Sequence, residues 1–100
     1  MIGNSDLAQT FWEHGKAADC PIYDMHGHMG PYHSIYFPRA EPADMVRTMD
    51  EAGVRLLIFS HHSALNSPNL ANQPSIAAVR AFPDRLRAYC MVNPNYPEQM

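Results

Sequence analysis

"PADMVRTMDEAGVRLLIFSHH", residues 42–62, changes its hydrophobic period once, and that change decides the fold. Up to Ala52 the apolar residues follow a helical face: Met45, Met49 and Ala52, with Val46 beside them. Pro42 stands in the first turn and Gly53 at the C-terminal end, the usual punctuation of a helix. From Val54 the stretch is apolar on both faces of an extended chain. Strands of that kind belong to parallel sheets covered on both sides.

The same alternation continues outward. "CPIYD", residues 20–24, reads as a buried strand, and "GHMGPYHSIYFPRAEP" after it as a long loop rich in Gly and Pro. Beyond the central unit, "SALNSPNLANQ" reads as a loop. "PSIAAVRAF" reads as a helix with Ile76, Val79 and Phe82 on one side, stopped by Pro83. "LRAYCMVNPN" reads as a third strand. At the N-terminus, "SDLAQTFWEHGKAA" reads as a short amphipathic helix with Ser5 or Asp6 as its cap. Helix, strand, helix, strand, helix, strand is the order of an α/β fold with a parallel sheet. The expected organisation is a helical extension over residues 1–19 followed by three β/α units over residues 20–100. Pro97 and Glu98 have the look of another helix start, so the 100 residues are expected to be the front of something longer or a piece that needs partners.

Bulk composition narrows the function classes. Apolar residues make up 46% and charged residues 17%, which is globular rather than disordered composition. The seven basic residues are scattered and only one is lysine, Lys16, so neither nucleic acid nor a membrane surface is an expected partner. No basic start followed by an apolar block marks a signal peptide, and "LLIF" is far too short to cross a bilayer. A cytoplasmic, reducing setting is the expectation, with Cys20 and Cys90 as buried free thiols. No Gly-x-Ser-x-Gly elbow and no Gly-rich phosphate loop is present.

The chemistry concentrates in "YDMHGHMG", residues 23–30. Asp24, His26 and His28 are each two apart, so they share a face if the strand runs through position 28. Two imidazoles from alternate strand positions can reach one cation, and neutral histidine is the commonest metal ligand. The pair stands at the C-terminal end of a parallel strand, where α/β folds place their sites. Gly27 and Gly30 let the backbone turn away beneath it. Asp24, deeper in the strand, is expected either to support the ligands from behind or to be a buried acid bonded to backbone amides. His61 and His62 end the second strand. One of them should face the site as a substrate-binding or proton-handling group, and Asn93 at the end of the third strand is a further substrate-binding candidate. His14 and His33 read as surface residues.

Three segments taken together resemble a known family. "YDMHGHMG" resembles the first-strand motif of the amidohydrolase superfamily. "MDEAGVRLLIFS" and "AVRAFPDRLRAYCMVNP" resemble the second and third units of its amidohydrolase-related branch, which includes aminocarboxymuconate-semialdehyde decarboxylase-like enzymes and lactonases. The resemblance implies a distorted TIM (β/α)8 barrel with one divalent metal, usually zinc, and His26 and His28 as two of its ligands. It also implies ligands from the fifth, sixth and eighth strands, which lie beyond the 100 residues. A complete barrel takes about 250. The expected activity is that of a metal-dependent hydrolase acting on a small organic acid, amide or lactone. A decarboxylase of the same branch and a truncated, non-catalytic α/β module are the alternatives. A homo-oligomer, or the missing C-terminal part of the barrel, would cover the open sheet edge. Metal-dependent deoxyribonucleases and histidinol-phosphatase-like phosphoesterases also carry a first-strand His-x-His, but the second and third segments resemble them less.

Overall fold

A computed structural model describes residues 5–17, 19–65 and 67–99. Three strands, β1 (Ile22–Met29), β2 (Val54–His61) and β3 (Leu86–Ala88), form one parallel sheet in the order β1-β2-β3. Helix α1 (Asp6–His14) precedes β1, α2 (Pro42–Ala52) joins β1 to β2, and α3 (Pro68–Ala81) joins β2 to β3. The chain is therefore the mixed α/β fold that the alternation predicts.

The punctuation works as its chemistry requires. Ser5 caps α1 by accepting the Ala8 N–H on its hydroxyl oxygen at 3.1 Å. Pro42 occupies the first turn of α2, and Gly53 ends that helix with φ 75°, a left-handed conformation that only glycine adopts without strain. Two cations then fasten the end of α2, one to the segment after α1 and one to the sheet. Lys16 Nζ donates to the Asp50 carbonyl at 3.2 Å, and Arg85 pairs with the Asp50 carboxylate at 2.8 Å while also donating to the carbonyls of Val54 and Arg55.

The core is Met29, Met49, Leu57, Phe59, Ala78 and Leu86, with Met45, Val46, Val79 and Phe82 around it. Full burial of Phe59 alone contributes roughly 2–3 kcal/mol. Leu57 and Phe59 share one face of β2, so α2 and α3 both pack on that face. The expectation that β2 is covered on both sides is corrected here. On the opposite face Leu56 and Ile58 are only half-buried, Arg87 is exposed and Tyr23 is 60% exposed.

Three other expectations change. Helix α3 begins at Pro68, so half of "SALNSPNLANQ" is helical and Pro74 lies inside the helix. Both prolines carry the chemistry of a first-turn residue, and sequence alone gives that role to the wrong one. Strand β3 spans three residues, because after Tyr89 N–H donates to the Phe59 carbonyl at 2.9 Å the chain leaves the sheet. Asn72 of α3 holds the departing segment instead. It donates to the Met91 carbonyl at 2.9 Å and accepts the Met91 N–H at 3.0 Å. Both thiols are free, but neither is buried: Cys20 is half-buried and Cys90 exposed. Among the described residues, no helix is long and apolar enough to cross a membrane.

Candidate functional site

Strand β1 runs through both histidines, but not as a regular strand. Asp24 pairs with Leu57 and Gly27 with Phe59, three steps on β1 against two on β2. One extra residue is thus bulged out at Met25–His26. Residues paired across a sheet share a face, so Asp24 and Gly27 lie on the face of Leu57 and Phe59, and His28 lies with Ser60 on the other. The uninterrupted alternation that would align Asp24 with His26 and His28 is broken by this bulge. Asp24 still serves the pair: its carboxylate accepts the His26 N–H at 3.0 Å and so holds the bulged peptide. It also borders a hollow of about 390 Å³ against Met45, Met49 and Leu57. Gly27 does not turn the chain. It is a close-approach position, where a Cβ would strike the Leu57 side chain.

The His26 and His28 rings have centroids 5.2 Å apart at 62°. Two imidazoles on one tetrahedral zinc, at Zn–N of about 2.0–2.1 Å, put their ring centres roughly 5 Å apart, so this spacing fits a shared metal. A tetrahedral zinc takes four ligands, and the pair offers two. Among the described residues no cluster of three or more His, Cys, Asp or Glu is placed to hold a metal. Desolvation of the packed side of His28, then the neighbouring His62 and His26 rings, lower its pKa from the ordinary imidazole value. A lowered pKa keeps the ring neutral, the form that ligates.

His61 and His62 separate as adjacent strand-end residues must. His61 accepts from Ser63 on Nδ1, at 3.2 Å from the backbone N–H and 2.7 Å from Oγ. Burial lowers its pKa, the Glu41 carboxylate opposes that, and His62 adds to it. His62 begins a 3-10 turn (His62–Leu65) and swings in beside His26 and His28. Its ring stacks on His28 at 5.1 Å and 16°. It is 6% exposed, and its Nδ1 lies 2.7 Å from the Gly30 carbonyl.

Gly30 makes this possible. It has φ 89°, its N–H donates to the Ala40 carbonyl at 2.9 Å, and a Cβ there would collide with the His61 ring. The Gly30–Ala40 bond closes the base of loop 31–40, whose Tyr32 and Phe37 rings pack on His62 at 5.5 and 5.9 Å. His26, His28, Ile35, Ser60, His61, His62, Leu65 and Met91 line one pocket of about 330 Å³. Asn93 is not among them. Its carboxamide accepts the Asn95 N–H at 3.0 Å and shapes a turn. His14 and His33 are exposed.

The sequence does not mark Gly30 as the acceptor for His62, Tyr32 and Phe37 as the rings packed on it, or Met91 as a wall of the pocket. A backbone carbonyl leaves no mark in the sequence, and Met91 reaches the pocket only because Asn72 holds it there. Comparison with family models, curated proteins and solved structures finds no significant match to this chain.

Proposed function

We propose that this chain supplies the first-strand metal ligands of a metal-dependent hydrolase of amidohydrolase type, on β/α units that belong to a TIM (β/α)8 barrel. The observation that carries the reading is the spacing of the His26 and His28 rings at the C-terminal end of β1. The resemblance of the three quoted segments to the amidohydrolase-related branch supports it from the sequence side.

His26 and His28 would hold the ion, with zinc as the metal that two neutral imidazoles and water suit best. The ion would supply Lewis acidity and activate water for attack on a carbonyl-type carbon. The chain's own residues do the rest. Asp24 fixes the backbone at His26, and the His62 ring limits how far His28 can turn. Ile35, Leu65 and Met91 give the pocket apolar walls that exclude water around a small substrate. Two donors make a weak site, so the remaining positions would be filled from outside the described residues.

Zinc affinity tests the reading, measured by competition with a chromophoric chelator. His26→Ala and His28→Ala should each weaken binding by about tenfold or more, since either removes half of the protein ligands. His33→Ala should leave it unchanged. Equal affinity in all four proteins would remove the metal pair.

A further inference from the structure

We infer that Tyr89 is a positioning residue for His26: its hydroxyl and the Asp24 carboxylate grip the two polar ends of the Met25–His26 peptide and so aim that imidazole at the shared ion. The inference deepens the proposed function by naming what sets the direction of one ligand. It rests on that reading for the ion, whereas the grip itself belongs to the metal-free chain.

The bulge creates the need. Asp24 pairs with Leu57 and Gly27 with Phe59, so Met25 and His26 have no register partner on β2. Side chains take the place of the ladder. The peptide N–H, on His26, donates to the Asp24 carboxylate at 3.0 Å. The peptide carbonyl, on Met25, accepts from the Tyr89 hydroxyl at 2.9 Å. The peptide is planar, so holding both polar ends fixes its plane, and that plane sets the φ from which the His26 side chain departs. Among the described residues no hydrogen bond holds the His26 ring itself, which meets His28 edge to face. Its direction therefore comes from the backbone. His28, by contrast, is backed by the stacked His62 ring.

Tyr89 is placed to reach across the sheet. The strand order is β1-β2-β3 and Tyr89 directly follows β3, so its side chain bridges two strand spacings, about 10 Å in all. Its own backbone is pinned on both sides. Its N–H donates to the Phe59 carbonyl at 2.9 Å, and Asn72 holds both polar groups of Met91 two residues on. The ring starts from a fixed point, so little further ordering is needed to keep its hydroxyl on the Met25 carbonyl. A water could take the hydroxyl's place at this exposed carbonyl, but an untethered water fixes no direction. Core packing does not account for the residue either: Tyr89 is 46% exposed and lies outside the buried cluster.

Tyr89→Phe keeps the ring and deletes the donor. Two readouts on the 100-residue chain test the inference. One is zinc affinity by chelator competition. The other is amide hydrogen exchange in the metal-free protein, read by magic-angle-spinning NMR whatever the state of association. Tyr89→Phe should weaken zinc binding by about threefold and speed exchange at the His26 amide by about threefold. The Leu57 amide, which donates to the Arg85 carbonyl at 2.9 Å inside the sheet, should keep its rate. Tyr36→Phe removes the hydroxyl of a residue that is 92% exposed and should change neither readout. An unaltered His26 amide would overturn the inference. So would equal acceleration at His26 and Leu57, which means general loosening, or unaltered zinc affinity in Tyr89→Phe where His26→Ala lowers it. If His26→Ala leaves zinc affinity unchanged, the metal reading falls, and exchange at His26 alone decides whether Tyr89 fixes that residue.

Discussion

Gly30 carries more of the site than any histidine does. Its positive φ, its N–H bond to Ala40, its carbonyl bond to His62 and the His61 ring against its α-carbon are four constraints on one residue. A methyl group there would face both a strained backbone and an occupied space. Gly30→Ala is expected to destabilise the chain by about 2–3 kcal/mol, through strain and through displacement of His61. Chemical denaturation of both proteins measures this, and a change below about 0.5 kcal/mol would mean that the loop base adapts freely. Asp24 illustrates the opposite case, a residue with a plain local role. Its carboxylate holds the one peptide that the bulge leaves out of the ladder, which steadies His26 from the backbone side.

At the scale of elements, α2 and β2 were legible because period, cap and core coincide in them. Met45, Val46 and Met49 face the sheet, Gly53 ends the helix, and Leu57 and Phe59 are buried where an apolar strand should bury them. The ends of β1 and β3 were not legible. A bulge depends on the partner strand's register, and β3 stops where Asn72 takes over the backbone of Met91. Neither cause is local to the strand it alters. Of the site, the His26–His28 pairing was readable from alternate spacing. The choice between His61 and His62 was not, because it hangs on the 3-10 turn that follows β2. Pro74 inside α3 is the clearest conflict between local preference and fold. It lacks the N–H that would bond to the carbonyl four residues earlier. Pro74→Ala should restore that bond and raise stability by about 1 kcal/mol or more, less than the full helix-interior penalty because alanine also frees the unfolded chain. Thermal melts monitored by helical circular dichroism would show it, and a lower melting temperature would mean that the proline fixes a bend the packing needs.

The whole molecule is longer than its residue count suggests. Its radius of gyration is 16.1 Å and its extents are 52 × 27 × 23 Å, whereas a compact domain of this length has a radius near 13 Å. Helix α1 buries none of its residues, and Trp12 is 74% exposed beside Leu7 and Phe11. The sheet adds a half-open face and the outer edges of β1 and β3. Exposed apolar surface and open edges together favour association. The 100-residue chain is expected to sediment as dimers or larger species at micromolar concentration, with Trp12→Ser reducing the effect. A monodisperse monomer across that range would show that the open face is tolerated in water.

Extended X-ray absorption fine structure of the zinc-loaded chain tests whether His26 and His28 share one metal ion, as proposed. A shared ion gives a nitrogen-and-oxygen shell at about 2.0–2.1 Å with the outer-shell scattering of two imidazoles per zinc, falling to one in His26→Ala or His28→Ala. A spectrum with one imidazole or none, or one that neither substitution alters, would contradict it.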